Sequence, residues 1–395
     1  MDVKIIGTHD GPFHADDVMA VAMLQLHPEY RNAKIERSRE EDVLAQCDIV
    51  VDVGGKFSHE ERRYDHHQAD FDLTMEHLSG GEIKKSNTKL SSAGLTFFYY
   101  GQEIIREHFG LRLEKEEDRA KIDWIWHKLY FNLIREIDLI DNNGSVQGDI
   151  KTGFSSRVGG LNPDWEDPDP DFDQCFTRAV ELASGEFISI LKDLESQWRA
   201  KLALTEKVLK RDEDHPSGRV LVFEKPTRWQ KVMCEVENDL DIEGEILLIV
   251  NPRPGPNNHK FGVSAVFRRC FFPTEWGGVR EEELKKLTGL AGAKFVHMGL
   301  HLAILDNKED ALSLVNMMME RRHPFVSERD SLLEKVKEMR VQGEHEREVG
   351  AKRQSSRKTV DVWRPGHGSW TERRERMEMR GYSDGRGGDR RTPHS

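Results

Sequence analysis

The order of strand-like and helix-like segments in the first 55 residues most constrains the fold. "VKIIGTH" and "DIVVDVGG" are short apolar runs, rich in β-branched residues, that stop at or near glycine, as buried strands do. Between them lie the helix-like "DDVMAVAMLQLH", the strand-like "AKIERS" and the short helix-like "EEDVLAQC". This alternation predicts a parallel sheet with right-handed crossovers. Ligands of such sheets bind beyond the carboxyl ends of the strands.

The rest of the chain predicts a second domain and a tail. With 395 residues the chain is long enough for two domains. "RVLVFE", "EILLIVNP" and "KFGVSAVFRR" are strand-like, and "KEDALSLVNMMMERR" is an amphipathic helix. We therefore predict an α/β chain with three regions: a sheet domain and helical linker at 1–195, a smaller α+β domain at 196–326, and a charged, disordered basic tail at 327–395.

The cysteines and the N-terminal segment indicate the cellular compartment of the protein. The 4 cysteines include no C-x-x-C pair, which disfavours a zinc ribbon or a disulfide scaffold and fits a reducing compartment. No apolar run approaches the roughly 18 residues that span a bilayer. "MDVKIIGTHDG" has neither a basic signal-peptide start nor an Arg-rich transit segment. We expect a cytoplasmic protein, with a nuclear location also open, and no membrane partner.

One carboxylate, Asp52, lies inside the apolar run "IVVDVGG". Burying it among isoleucine and valine would be costly unless it were paired or bound to a metal. The alternative is that Asp52 caps the turn formed by Gly54 and Gly55. Asp52 is therefore the most informative single residue of the sequence.

A second group of polar residues follows the first strand, in "THDGPFHADD". His9, His14 and Asp16 are candidate metal ligands, although each could also be an ordinary residue of a strand end or helix start. Asp10 is interpreted as a turn residue. Asp17 is interpreted as a cap of the following helix, where a carboxylate interacts favourably with the helix dipole.

Two further segments supply candidates. "RYDHHQADF" contains Asp65, His66 and His67, which alone would fit a polar turn as well as a metal site. In "REIDLIDNN", Asp138 and Asp141 end a helix-like segment. Either of these two carboxylates could reach the site, and Asp141 is narrowly preferred.

The candidate ligands together favour a two-ion site. Histidine and carboxylate ligands without a thiolate suit Mn²⁺ or Mg²⁺ better than structural zinc. About six ligands exceed what one ion with open positions needs, so two ions roughly 3.5–4 Å apart are expected, an arrangement suited to in-line attack at phosphorus. The buried Asp52 is the predicted bridge between them.

Five segments, in this order and spacing, resemble the DHH phosphoesterase superfamily: "GTHDGPFHADD", "DIVVDVGG", "RYDHHQADF", "TKLSSAGL" and "EIDLIDNN". Within it the chain is most similar to the melanocyte-proliferating-gene family of metal-dependent 3′→5′ exonucleases. The resemblance implies a DHH-type domain, with a parallel sheet flanked by helices, and a smaller substrate-binding domain. It also implies phosphodiester hydrolysis in single-stranded RNA or DNA with two Mn²⁺ or Mg²⁺ ions.

The resemblance further implies roles for individual residues. One ion would be held by His9, His14 and Asp52. The other would be held by Asp16, Asp52, His66 and Asp141. The catalytic residue His67 would face the scissile phosphate as an electrophile or proton donor, and Asp65 would orient a histidine.

In the second domain the predicted substrate-binding residues are His297, Arg268 and Lys260. The family grips the phosphate or terminus of its substrate with a glycine-rich segment, whereas "FVHMGLHLAILDNKEDAL" contains no Gly-Gly pair. Arg253 and Arg269 are additional candidates for phosphate contacts. A strand through this region would place Arg268 and Arg269 on opposite faces.

Two other functions fit the same residues. A small-substrate phosphohydrolase, acting on pyrophosphate, polyphosphate or short oligonucleotides, would use the same metal site. A non-catalytic protein, stabilised by the metals, would bind nucleic acid through its basic tail. The net charge of −12 does not discriminate among them, because metal ions or local basic patches can reverse the field at a site.

Overall fold

The computed structural model of the chain describes residues 3–81, 83, 87–142, 152–253, 255 and 260–320. The predicted disordered tail at 327–395 lies outside the described residues. The described residues divide after Leu194 into two compact units, and the division falls within one long helix.

The first unit is built on a five-stranded sheet. Its strands are β1 (Ile5–Thr8), β2 (Lys34–Arg37), β3 (Ile49–Val51), β4 (Phe57–Ser58) and β5 (Arg63–Tyr64), in the order β2-β1-β3-β5-β4. The pairs β1–β2, β1–β3 and β3–β5 are parallel, and β4 is an antiparallel edge strand. The predicted parallel sheet is therefore confirmed, with one antiparallel strand added at its edge.

Helices flank this sheet, as predicted. They are α1 (Ala15–Leu26), α2 (Glu41–Leu44), α3 (Met75–Leu78), α4 (Ser92–Phe109), α5 (Glu116–Leu129), α6 (Arg135–Asp141), α7 (Phe154–Gly159) and α8 (Phe172–Leu209). A π-helical turn, Tyr130–Ile134, joins α5 to α6. Helix α1 is buried along most of its length and packs on α4, which fixes its N-terminus at the end of β1.

The second unit has its own mixed five-stranded sheet. Its strands are β6 (Val220–Val222), β7 (Leu248–Pro252), β8 (Phe261–Ala265), β9 (Ala293–Val296) and β10 (Leu302–Leu305), in the order β6-β7-β8-β10-β9. Only β6–β7 is parallel among the pairs of these described strands. The helices are α9 (Arg211–Asp214), α10 (Met233–Asp239), α11 (Glu281–Thr288) and α12 (Lys308–Glu320). This is the α+β architecture expected from the sequence.

The strand predicted in "KFGVSAVFRR" is shorter than expected. Strand β8 ends at Ala265, and a 3-10 turn, Val266–Arg268, follows it. Phe267 and Arg268 have φ values of 43° and 58°, which turn the chain out of the sheet. The prediction that Arg268 and Arg269 lie on opposite faces of a strand is therefore wrong.

Among the helices in the described ranges, none combines the length and the apolar character needed to cross a bilayer.

Candidate metal centre

The site lies where three parallel strands of the first unit end. Because β1, β3 and β5 are parallel, their carboxyl ends meet at one edge of the sheet. His9 follows β1, Asp52 follows β3, and the Asp65–His67 segment follows β5. The N-terminus of α1 and the C-terminal end of α6 bring further carboxylates to the same edge.

Asp52 is held in an unusual backbone conformation at this edge. Its φ is 60°, which is uncommon for a residue other than glycine, although aspartate adopts it more readily than most. Its amide donates to the carbonyl of Tyr64 at 3.2 Å. The Gly55 amide donates to Asp65 Oδ2 at 2.6 Å. Asp65 therefore caps the turn formed by Gly54 and Gly55, which is the role that the sequence left open for Asp52.

The two oxygens of Asp52 face two different histidines. Oδ1 lies 3.3 Å from His66 Nε2, and Oδ2 lies 3.4 Å from His9 Nε2. The Ser92 hydroxyl lies 3.0 Å from Oδ1 and 2.9 Å from the Tyr64 carbonyl oxygen, which fixes the orientation of the carboxylate. Asp52 is only 4 % exposed, so its charge is almost fully desolvated.

Around His66, more carboxylates converge than its ring can bind. Asp141 Oδ2 and Asp16 Oδ2 lie 3.2 Å and 3.6 Å from Nε2, beside the Asp52 oxygen. One ring nitrogen can donate a single hydrogen. Within the described part of the chain, both oxygens of Asp16, both ring nitrogens of His66 and Asp141 Oδ2 are buried without a hydrogen-bond partner. Native interiors rarely leave so many polar atoms unpaired.

These atoms fit divalent cations. Three groups bring ligand atoms within 4.8 Å of one another: Asp52 with His66 and His67, His9 with Asp17 and Asp52, and Asp16 with His66 and Asp141. The donors are imidazole nitrogens and carboxylate oxygens, a set that Mn²⁺ and Mg²⁺ accept. Asp52 belongs to two of the three groups, as a bridging ligand would.

The pKa values of the carboxylates reflect excess negative charge. Burial, together with the charges of Asp52 and Asp141, raises the pKa of Asp16 well above its usual value. Burial likewise raises the pKa of Asp141. Without a cation, protons relieve this repulsion. A cation bound there would displace them, because metal binding and proton release are coupled.

Contacts with carboxylates favour the charged form of His9. Burial lowers the pKa of His9, but contacts with Asp17 and Asp52 outweigh burial and raise the pKa to about 10. Burial raises the pKa of Asp52, but its contacts with His66 and His9 outweigh this effect and lower it. Asp52 is therefore the carboxylate of this cluster that most favours its charged form.

His67 lies beside the cluster in a different environment. Its Nδ1 donates to Asp65 Oδ1 at 2.6 Å, so Nε2 is the ring nitrogen left for another group. This bond raises the pKa of His67, although partial burial opposes the shift. The side chain is 62 % exposed, unlike that of His66 at 5 %. The adjacent histidines thus face different surroundings.

Two residues of the first loop differ from expectation. His14 is exposed at the start of α1, with its ring centroid 6.2 Å from that of His9, and lies in none of the three groups of described residues above. Asp17 accepts hydrogen bonds from the His14 and Val18 amides, as a helix cap does. Its second oxygen, however, lies 3.2 Å from His9 Nε2. The sequence indicated the cap but not this contact.

The structure separates the two carboxylates of the fourth segment. Asp138 is fully buried and accepts hydrogen bonds from the Ser91 amide at 2.9 Å and the Ser91 hydroxyl at 2.7 Å. Burial outweighs these bonds and raises its pKa to about 7. Asp141, one turn further along α6, faces His66. The geometry thus places Asp141, and not Asp138, with the cluster.

The predicted substrate residues lie in the second unit. Lys260 and Arg268 are exposed, as is His297, whose Nδ1 accepts a hydrogen bond from the Gly299 amide at 2.9 Å. Arg269 is buried instead, and both of its terminal nitrogens donate to Glu237. Arg269, predicted as a candidate for phosphate contacts, is therefore already paired, and that prediction is wrong.

A cavity of about 1140 Å³ opens beside the candidate metal centre. Its lining includes His14, Asp16, His66, His67 and Asp141 from the residues discussed above. It also includes residues for which the sequence suggested no function: Asn87, Thr88, Lys89, Arg135, Asn142 and Ser155. A cavity of this size is large enough for more than one nucleotide-sized group.

Comparisons with known proteins match this chain to one protein family. The family model MYG1_exonuc, described as an uncharacterised protein family (UPF0160), matches residues 5–319. The protein named MYG1 exonuclease from Homo sapiens is 35% identical over 334 residues, covering 80% of this chain and 86% of its own length. That from Rattus norvegicus is 35% identical over 332 residues, covering 80% and 85%. A MYG1 protein from Dictyostelium discoideum is 32% identical over 326 residues, covering 78% and 94%.

Among solved structures, an exonuclease RecJ bound to manganese is 14% identical, with a TM-score of 0.23, and covers 82% of this chain and 92% of its own. RecJ from Thermus thermophilus in complex with Mn²⁺ is 16% identical, with a TM-score of 0.23, and covers 79% and 52%. TM-scores of this size do not establish a shared fold.

Proposed function

Because the chain belongs to the MYG1 exonuclease family, and its relatives from Rattus norvegicus and Homo sapiens are named exonucleases, we propose that it is a metal-dependent 3′→5′ exonuclease acting on single-stranded RNA or DNA. This membership confirms the resemblance to the melanocyte-proliferating-gene family that the sequence showed. The observation that carries the proposal is the placement of Asp52, whose two oxygens face His9 and His66 while unpaired carboxylates surround the same point.

Two Mn²⁺ or Mg²⁺ ions complete the proposed site. The residues that would hold them are His9, His14, Asp16, Asp52, His66 and Asp141, with Asp17 as an additional carboxylate at His9. When bound, the ions would stabilise the negative charge that develops on the phosphoryl oxygens during in-line attack. His14, which is exposed, would have to turn its ring toward His9 to contribute.

The protein's own groups have separate tasks in this proposal. Asp65 fixes His67 by its 2.6 Å bond and favours the protonated imidazole. As water forms its bond to phosphorus and the bond to the leaving oxygen breaks, the Nε2 proton of His67 would go to that oxygen, and a proton from the attacking water would then restore the protonated imidazole. Ser92 keeps Asp52 oriented between the two histidines. The second unit would contact the substrate through His297, Arg268 and Lys260.

The test is hydrolysis of 5′-labelled single-stranded RNA and DNA oligonucleotides with Mn²⁺, resolved by product length. Wild-type protein is expected to shorten them stepwise from the 3′ end. Asp52→Asn should lower the rate about a thousand-fold, since several kcal/mol of charge stabilisation depend on the ions. Asp10→Asn, a change in the exposed loop carboxylate paired with Arg39, is the matched control and should leave the rate unchanged.

Three results would contradict the proposal. Oligonucleotides that stay intact at every Mn²⁺ concentration would exclude the exonuclease, and phosphate release from pyrophosphate in the same samples would favour the small-substrate phosphohydrolase instead. Full activity of folded Asp52→Asn would exclude the site assignment. If Mn²⁺ stabilised the protein while no phosphoester was hydrolysed, the non-catalytic function would be correct.

A further inference from the structure

Two cationic side chains, Lys89 and Arg135, line the cavity that also contains Asp16 and Asp141. We call Lys89 and Arg135 the basic pair. The chain as a whole is acidic, with a net charge of −12, so it needs local positive charge wherever it binds a polyanion. The basic pair supplies such charge within the cavity of the metal centre.

Neither member of the pair is neutralised by a carboxylate within the described residues. The ammonium of Lys89 lies 5.4 Å from the centre of the Phe71 ring, and the guanidinium of Arg135 lies 5.7 Å from that of Phe131. Cation–π contacts of this kind position a cation without cancelling its charge. As far as the described residues are concerned, both charges therefore remain available to an anion that enters the cavity.

The fold ties the basic pair to the metal centre. The Asn142 side chain donates to the Lys89 carbonyl oxygen at 2.9 Å, directly after Asp141 in the chain. Arg135 begins α6 and lies on one helix face with Leu139 and Asn142, at spacings of four and three residues. These last two residues also line the cavity. Helix α6 thus carries Arg135, anchors Lys89 and presents Asp141.

Another polar group of the cavity has no partner. The Ser155 hydroxyl oxygen is buried without a hydrogen bond in the described part of the chain, although its residue lines the cavity. A buried hydroxyl is expected to be satisfied, so a ligand oxygen is a natural partner for it. This observation does not depend on the charges of the basic pair.

We propose that the basic pair binds a second phosphate of the substrate, the phosphodiester next to the one that is cleaved. This inference rests on the proposed exonuclease function. Lysine offers a point charge and arginine a planar pair of donors, and the two together suit phosphate oxygens. The cavity, at about 1140 Å³, has room for this phosphate beside the reacting one. The protein should consequently prefer substrates with two or more phosphodiesters.

The experiment compares a dinucleoside monophosphate, which has one phosphodiester, with a single-stranded ten-nucleotide oligomer, both with Mn²⁺. Lys89→Gln and Arg135→Gln are each expected to raise KM for the oligomer about ten-fold, as expected for loss of a charged hydrogen bond. The kinetic constants for the dinucleoside monophosphate should change less than about two-fold. Each variant should also lower the slope of log(kcat/KM) against log salt concentration by about 0.7.

Lys128→Gln is the matched control, since the ammonium of Lys128 also lies 5.4 Å from an aromatic ring, that of Trp124, but lies outside the lining of the cavity. It should leave both substrates unaffected. Lys89→Arg, which keeps the charge, should recover most of the loss seen in Lys89→Gln. Thermal unfolding of each variant checks that the fold is retained.

The experiment distinguishes failure of this inference from failure of the proposed function. If wild-type protein hydrolyses both substrates and Lys89→Gln and Arg135→Gln behave like Lys128→Gln, the basic pair has no such role, although the proposed function stands. Equal losses on both substrates would also overturn the inference, because they would place the pair at the reacting phosphate. If wild-type protein hydrolyses neither substrate, the proposed function and the inference fail together.

Discussion

Each of the two units buries a cluster of charged side chains, and the clusters differ in whether their charges match. In the second unit, Arg269 donates through both terminal nitrogens to Glu237, and one of these nitrogens also donates to the Ile246 carbonyl at 2.9 Å. In the first unit, four carboxylates meet two buried histidines: Asp16, Asp17, Asp52 and Asp141 with His9 and His66. Buried polar atoms there lack partners within the described residues.

The difference separates a structural ion pair from a ligand site. A bidentate pair satisfies its own donors and acceptors, so Arg269 and Glu237 need no further group. The cluster around Asp52 has more carboxylate oxygens than donors, and its burial prevents water from screening them. Such an arrangement is stable only when protons or cations balance it. Charge balance, and not burial, therefore distinguishes the candidate ligand site from the structural ion pair.

The largest expected effect on stability comes from breaking the ion pair of Arg269 and Glu237, which we call the matched pair. Glu237→Gln leaves the Arg269 charge buried without its carboxylate, and should lower the free energy of unfolding by about 3–5 kcal/mol. Urea denaturation followed by circular dichroism measures this change. The double variant Glu237→Leu with Arg269→Met removes both charges and should regain most of the loss.

A small loss in Glu237→Gln, below about 1 kcal/mol, would mean that this pair is solvated and that the two clusters do not differ as described. The same denaturation series with Mn²⁺ supplies a control. The decrease caused by Glu237→Gln should be equal with and without the ion, because that pair has no place for a cation.

The second effect concerns the carboxylates and histidines around Asp52, which we call the unmatched cluster. Mn²⁺ at about a hundred times its Kd should raise the free energy of unfolding of the wild type by about 2.7 kcal/mol, because the ion binds the folded state. Asp141→Asn removes a carboxylate that faces His66 and should weaken Mn²⁺ binding by at least about ten-fold. Isothermal titration calorimetry measures the affinity directly.

Asp138→Asn is the matched control for this prediction. Asp138 lies one turn before Asp141 on the same helix, but it is bonded to Ser91 and its raised pKa, about 7, favours the neutral form that a carboxamide imitates. Its Mn²⁺ affinity should stay within about two-fold of the wild type. The reverse result, with Asp138→Asn weakened and Asp141→Asn unaffected, would exchange the two roles.

The sequence was sufficient for the parallel part of the first sheet and for most residues of the unmatched cluster. Apolar runs that end near glycine predict strands, and a carboxylate such as Asp52 inside such a run can be recognised as one that needs a partner. Parallel connections then bring the strand ends together without any knowledge of side-chain positions. This is why His9, Asp16, Asp52 and His66 could be chosen from the sequence.

Other features depend on geometry that residue types do not reveal. Arg269 became part of a matched pair because Phe267 and Arg268 adopt positive φ values, and neither is a glycine whose presence would indicate a turn. The second contact of Asp17 depends on the position of α1 relative to β1. The π-helical turn Tyr130–Ile134, which precedes the helix carrying Asp141, has no sequence signature either.

The smallest effect tests the hydrogen-bonded pair of Asp65 and His67, which lies at the edge of the unmatched cluster. Asp65 and His67 are bonded at 2.6 Å, and Asp65 is the largest contributor to the raised pKa of His67. Asp65→Asn should lower this pKa toward its usual value, so less of the imidazole is protonated as the pH rises. We expect kcat to fall by about ten-fold at most near neutral pH, with a larger loss at higher pH and a smaller loss at lower pH. Mn²⁺ affinity should stay within about two-fold, because Asp65 belongs to a satisfied pair. A ten-fold loss of Mn²⁺ affinity in Asp65→Asn would instead show that the Asp65–His67 pair and the unmatched cluster act as one site.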